Sequence, residues 1–128
     1  MNIVLWIGQI VLGAAFVVFG LAHSFGAAHA ELPLGARWIS DVPPHLLIFI
    51  AICELFGGVT LLVPSVTKRQ SWLTVLAAGF IAVLMVFAAI FHWTRGEYIN
   101  IVFNVILGSL AAFVAYGRWV ISPIRVTS

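Results

Sequence analysis

Between Met1 and Ala30 the chain has no Asp, Glu, Lys or Arg at all. Charged residues make up only 8% of the whole, against 63% hydrophobic. A soluble globule carries about 25% charged residues, so this chain lacks the polar surface to cover itself in water. With a single cysteine, Cys53, no disulfide can form within the chain, and there is no C-x-x-C to run dithiol chemistry. Also absent are H-E-x-x-H, a phosphate-binding glycine loop and a Ser-His-Asp arrangement. The net charge of +2 comes from residues flanking apolar runs and does not describe a nucleic-acid-binding surface.

The apolar sequence is abundant, and mean hydropathy is +1.18. A membrane-spanning helix needs about 20 apolar residues. Four stretches reach that length, near residues 3–21, 45–63, 72–91 and 98–120. They predict an all-α, integral membrane four-helix antiparallel bundle, with residues 1–128 as a single membrane domain. Pro33, Gly35, Pro43 and Pro44 mark the first linker, and Lys68 and Arg69 the second. The third, His92 to Glu97, is short enough to force the last two spans into an antiparallel hairpin. Lys68, Arg69, Arg118 and Arg125 fall on one side, Arg37 and Arg95 on the other. That bias predicts cytoplasmic termini and an extracytoplasmic first linker. Ala28-His29-Ala30 resembles a leader cleavage site, but no basic residue precedes the apolar run, so a retained first span is expected.

Small residues suit close helix packing in lipid. Gly8, Gly13 and Gly20 serve the first span, Gly57 and Gly58 the second, and Gly108 with Ala112 the fourth. Trp6, Trp38, Trp72, Trp93, Trp119 and Tyr98 lie near span ends and are expected to anchor at the interface.

One carboxylate stands out. Glu54 lies inside the second span, where insertion scales put a charged residue at about +2.5 to +3.5 kcal/mol. Such a residue is shielded from lipid and calls for a histidinium, an Arg or a hydrogen-bonding partner such as Asn104. With a rise of about 1.5 Å per residue, Glu54 lies about 14 Å, and Asn104 about 9 Å, below the extracytoplasmic edge. His23, Ser24, His92 and Asn100 sit near that edge, and Gln9 belongs to the opposite half. The asymmetry predicts an outer polar pocket with Glu54, His92, Asn104, Asn100 and His23 as its ligand-binding candidates. Asn100 and Asn104 share one helix face, as do Glu54 and Gly58, so another helix can approach under the carboxylate. Two His and one Glu would make a metal set on paper, but the estimated depth gap between Glu54 and His92 argues against a shared site, and no metal is expected. Arg95 and Glu97 are expected to solvate a tight turn.

Several pieces occur in order: Glu54-Leu-Phe-Gly57-Gly58, Leu61-Leu62-Val63-Pro64, Leu73 to Gly79, Ala89-Ile-Phe-His92 with Arg95-Gly96-Glu97, and Ala112 to Arg118. Together they resemble the DoxX-like family of small four-span membrane proteins. The resemblance implies a bundle in a bacterial cytoplasmic (inner) membrane, with Glu54 and His92 part of the family pattern. Many relatives carry Lys after the first span, where this chain has Ala22-His23-Ser24. His23 would then stand in part for that base.

Three functions follow as expectations. The first is a non-catalytic accessory subunit of a larger membrane complex, redox complexes included, with a lipid or quinone in the outer pocket. The second is a quinone-linked oxidoreductase subunit in which Glu54, with His92 or Asn104, handles the quinone's proton. The third is a proton-coupled small-molecule carrier. The expected partners are the lipid bilayer and a membrane protein or a second copy of the chain.

Overall fold

The computed structural model describes residues 1–25, 37–69 and 72–125. Four long helices dominate: α1 (Asn2–Phe25), α3 (Pro44–Thr67), α4 (Trp72–Thr94) and α5 (Tyr98–Tyr116), the last continuing through a π-helical turn at Gly117–Ile121. A one-turn helix, α2 (Trp38–Asp41), lies between α1 and α3. No strand occurs among the described residues. All four long helices are long and apolar enough to cross a membrane. The Ala28–Ala30 segment lies outside the described residues.

Helices α1, α3 and α4 run three or four residues past the expected span ends, because polar flanks such as His23, Ser24 and Thr94 continue the helical hydrogen bonding. Pro44 opens α3 at a position where no N–H is needed. Gly96, with φ +71°, supplies the left-handed residue that closes the α4–α5 turn.

Helix α1 packs along α3, α3 on α4, α4 on α5, and α5 returns to α1. Gly58 makes the first of these contacts so close. A Cβ there would stand 2.8 Å from the Gly13 carbonyl oxygen and 2.9 Å from the Val17 nitrogen. The close approach lies one turn below Glu54, as the shared face of Glu54 and Gly58 predicts. Each neighbouring pair is antiparallel: Gly20 faces Ala51 and Leu55, Gly57 faces Ile81, Gly108 faces Met85, and Gly8 faces Leu110.

The apolar core is Leu12, Phe16, Leu61, Ala77, Ala78, Ile81, Met85, Ala111 and Val114. Most remaining large apolar side chains face outward, as a lipid solvent permits. The core separates two polar centres at opposite ends of the bundle.

Candidate functional site

At the end that carries α2, the four spans enclose a cavity of ≈ 610 Å³. Phe19 and His23 come from α1, Ile50 and Glu54 from α3, Met85, Ala88 and His92 from α4, and Asn100, Phe103, Asn104 and Leu107 from α5. All five candidate residues therefore line one cavity: His23, Glu54, His92, Asn100 and Asn104. Glu54 and His92 both line it, although each is paired with a different residue. Side chains tilt toward the N-terminus of their own helix. In antiparallel neighbours that tilt sends Glu54 up from α3 and His23 down from α1.

The two meet. Nδ1 of His23 lies 2.5 Å from Oε2 of Glu54, with the side chains 14% and 7% exposed. A direct hydrogen bond of this kind gives the acidic side chain a partner inside the span. Asn104 is not the partner that the sequence suggests for Glu54. Its Nδ2 is buried with no hydrogen-bond partner among the described residues. An unmade hydrogen bond of this sort costs about 1–3 kcal/mol.

His92 forms a second histidine–carboxylate pair, its Nδ1 lying 3.0 Å from Oε1 of Glu97. Glu97 also accepts from Arg95 Nε at 2.7 Å, and Arg95 Nη2 reaches Asp41 Oδ2 at 2.5 Å. Arg95 and Glu97 thus do more than solvate a turn, because they tie the α4–α5 turn to the end of α2. Partial burial pushes the Glu97 carboxyl up, but hydrogen bonds from Arg95 and His92 outweigh it and hold the group below the ordinary carboxylate range. The same bonds, Glu97 first and Asp41 second, hold Arg95 above its ordinary value.

Trp38 stands between the two histidines, edge-to-face with His23 at 5.1 Å and with His92 at 5.6 Å. At 9% exposure it is a buried wall of the site and not the interface anchor that its position near a span end suggests. Trp72, Trp93, Trp119 and Tyr98 do stay outward. The rest of the cavity is apolar, and Phe49, Phe87, Ile99 and Phe103 line it while remaining mostly exposed on the bundle flank. The mouth accordingly opens sideways, toward the region that lipid occupies. Among the described residues no three His, Cys, Asp or Glu converge as a metal site.

The opposite end holds a polar centre that sequence reasoning misses. Arg118, counted above as a flanking charge, is only 2% exposed. Its Nε donates to Gln9 Oε1 at 3.0 Å, and its Nη1 donates to Asn2 Oδ1 at 2.7 Å and to the Ser122 carbonyl at 3.2 Å. The guanidinium stacks on Trp6, 4.8 Å from the ring centroid. Gln9 in turn donates to the Leu61 carbonyl at 3.0 Å and to Ser65, whose hydroxyl lies 2.7 Å from that of Thr74. These buried contacts close the bundle opposite the cavity. The available sequence signal was the pairing of one interior Gln with one Arg near a helix end, 109 residues apart.

The model of the DoxX-like family matches residues 7–114, most of the chain and every residue that lines the cavity. The chain belongs to the DoxX-like family. It is a multi-pass membrane protein of that family, with four apolar helices. No curated protein and no solved structure gives a match to it. In this DoxX-like chain, Glu54 and His92 are each held by a partner, His23 and Glu97 respectively. His23 is the base that meets Glu54.

Proposed function

We propose that this DoxX-like protein is an accessory membrane subunit whose cavity holds a lipophilic molecule, a lipid or a quinone. One observation carries the reading. The cavity joins an apolar barrel to a polar end containing Glu54, His23, His92 and Asn104, and its mouth lies on the lipid-facing flank. A ligand could enter from the bilayer with its tail against Phe87, Phe103 and Leu107 and its head near the histidine–carboxylate pairs. Mostly apolar walls with a few placed polar groups are the usual form of a small-molecule site. Under this reading the protein sits in a bacterial cytoplasmic membrane with both termini inside. Lys68, Arg69 and Arg125 lie at the terminal end, and Arg37 and Arg95 at the other.

A second reading, the quinone-linked oxidoreductase subunit, draws on the 2.5 Å His23–Glu54 contact. A hydrogen-bonded histidine–carboxyl pair at a cavity wall is the kind of group that passes a proton to a quinone oxygen. Electrons would come from a cofactor of a partner subunit. A carrier gains less support, since the Gln9–Arg118 network blocks the end opposite the cavity.

Lipid and quinone analysis of protein extracted gently from its own membrane tests the main reading, with Ala88→Phe as the control. Ala88 lines the cavity, so a phenyl group there should expel the ligand and leave the α1–α3 contact intact. One lipophile per chain in the wild type, lost in the variant, supports the reading. Identical bulk lipid in both sinks it.

A further inference from the structure

The two histidine–carboxylate pairs fix hydrogen-bonding roles at the polar end of the cavity. Glu97 accepts from Arg95 Nε at 2.7 Å and lies 3.0 Å from His92 Nδ1. Its carboxyl is held below the ordinary range, so at neutral pH it has no proton to give and Nδ1 carries the hydrogen. In the neutral imidazole the other nitrogen, Nε2, is then a bare acceptor. In the second pair one hydrogen lies between His23 Nδ1 and Glu54 Oε2, whichever group owns it. Glu54 Oε1 therefore carries none and also accepts.

Both residues line the cavity, and each side chain keeps 7% of its surface exposed. Among the described residues, the side-chain polar atoms that are wholly buried and unpartnered are Asn104 Nδ2 and Arg118 Nη2. Glu54 Oε1 and His92 Nε2 have no hydrogen-bond partner among those residues and are not wholly buried, so both keep open surface. Asn104 Nδ2 is sealed off. The wall thus presents two fixed acceptors. A carbonyl head brings a third acceptor and pairs with neither. An anionic head does the same and sets a charge against Glu54. A cationic head competes with His23 for Glu54 and carries its own desolvation cost into the membrane.

We infer that the ligand is a neutral lipophile with a hydroxyl head, bound as a hydrogen-bond donor by Glu54 Oε1 and His92 Nε2. This rests on the reading of the cavity as a lipophile site and adds what selects the occupant. The hydroxyl oxygen still accepts, which suits the indole N–H of Trp38 on the same wall. A lipid alcohol and a quinol share this chemistry. Where the ligand is a quinone, the form retained is the reduced one.

The test is a set of titrations on the full chain, stripped of lipid in detergent and read by native mass spectrometry. They are run at about pH 8, where a free imidazole is neutral. Two matched pairs of probes differ in the donor alone. A diacylglycerol is set against the propanediol diester that lacks its hydroxyl, and a long-chain quinol, kept reduced, against its quinone. Palmitate and a long-chain alkylammonium supply the two charges. In the pair that matches the natural ligand, the wild type should bind the hydroxyl probe roughly tenfold better, the equivalent of about one hydrogen bond. That pair identifies the source as lipid or quinol, and neither charged probe should exceed it. His92→Phe keeps an aromatic ring and removes Nε2, so the preference should shrink severalfold while the probes without hydroxyls still bind. The inference is overturned if neither pair shows the preference, if a charged probe binds best, or if His92→Phe keeps the preference in full. The wild-type comparison decides the matter even should His92→Phe not fold. Equal binding within both pairs leaves the lipophile cavity standing and removes the hydroxyl as its selector. Failure of every probe to bind removes both.

Discussion

His23 near the end of α1 and Glu54 within α3 face each other across the cavity wall at 2.5 Å, thirty-one positions apart in the chain. The contact resolves the apparent cost of an acidic residue in a membrane span. It also makes the two residues interdependent. His23→Ala would leave a carboxylate that is 6% exposed without its partner, and should destabilise the bundle by about 3–5 kcal/mol. Glu54→Gln, which keeps a hydrogen-bonding group and removes the charge, should cost clearly less. His23→Ala combined with Glu54→Leu should recover part of the loss. Thermal unfolding in a mild detergent reads all three, and additive losses in the double variant would contradict the pairing.

The α1–α3 contact depends on the absence of a side chain at Gly58. Gly58→Ala places a methyl group against the Gly13 carbonyl and the Val17 nitrogen. Backbone cannot yield as a side chain does, so a loss of about 1–3 kcal/mol is expected. Gly79→Ala is the matched control. A Cβ there meets nothing within 4 Å, so stability should hold or rise slightly.

Arg118 should behave as a buried structural donor. Arg118→Ala strands Gln9 Oε1 and Asn2 Oδ1 and uncovers the Trp6 ring. The expected loss is about 1–3 kcal/mol. Arg118→Lys keeps the charge but not the planar fork, and should restore only part of it. A shift in tryptophan emission, absent in a Trp6→Phe background, would locate the change at this end of the bundle.

The clasp over the cavity has a pH dependence with a defined sign. Glu97 is held below its ordinary value of 4.5, so its stabilising contribution is complete above about that pH. It is lost as pH falls through the lowered folded value. Trp38 fluorescence followed from neutral to acid pH should report loosening on the acid side, and Glu97→Gln should flatten that part of the profile. Arg95 stays charged throughout, so an alkaline transition at neutral-to-moderate pH would contradict this assignment.

The bundle was legible because hydropathy alone separates spans from linkers. Glu54, His23, His92, Asn100 and Asn104 were legible as a group because polar residues in apolar helices avoid lipid and so converge. Distance between them was not. Residue count along a helix gives the depth of a backbone atom, while a Glu and a His in antiparallel helices lean toward each other by several side-chain bonds. Trp38 and Arg118 were misread for a related reason. Near a span end, an interface anchor and a buried wall have the same composition, and tertiary contacts alone distinguish them. The Arg95–Asp41 tie joins residues 54 apart. No local pattern could have announced it.

The most direct measurement of the central claim is native mass spectrometry of the wild type and Ala88→Phe, both taken gently from the native membrane, with extraction and identification of whatever co-purifies. A single lipophile at one copy per chain, present in the wild type and missing from the cavity-filled variant, is the predicted result. Bulk lipid alone, in equal amounts on both proteins, would contradict the claim that the space beside Glu54 is a binding site.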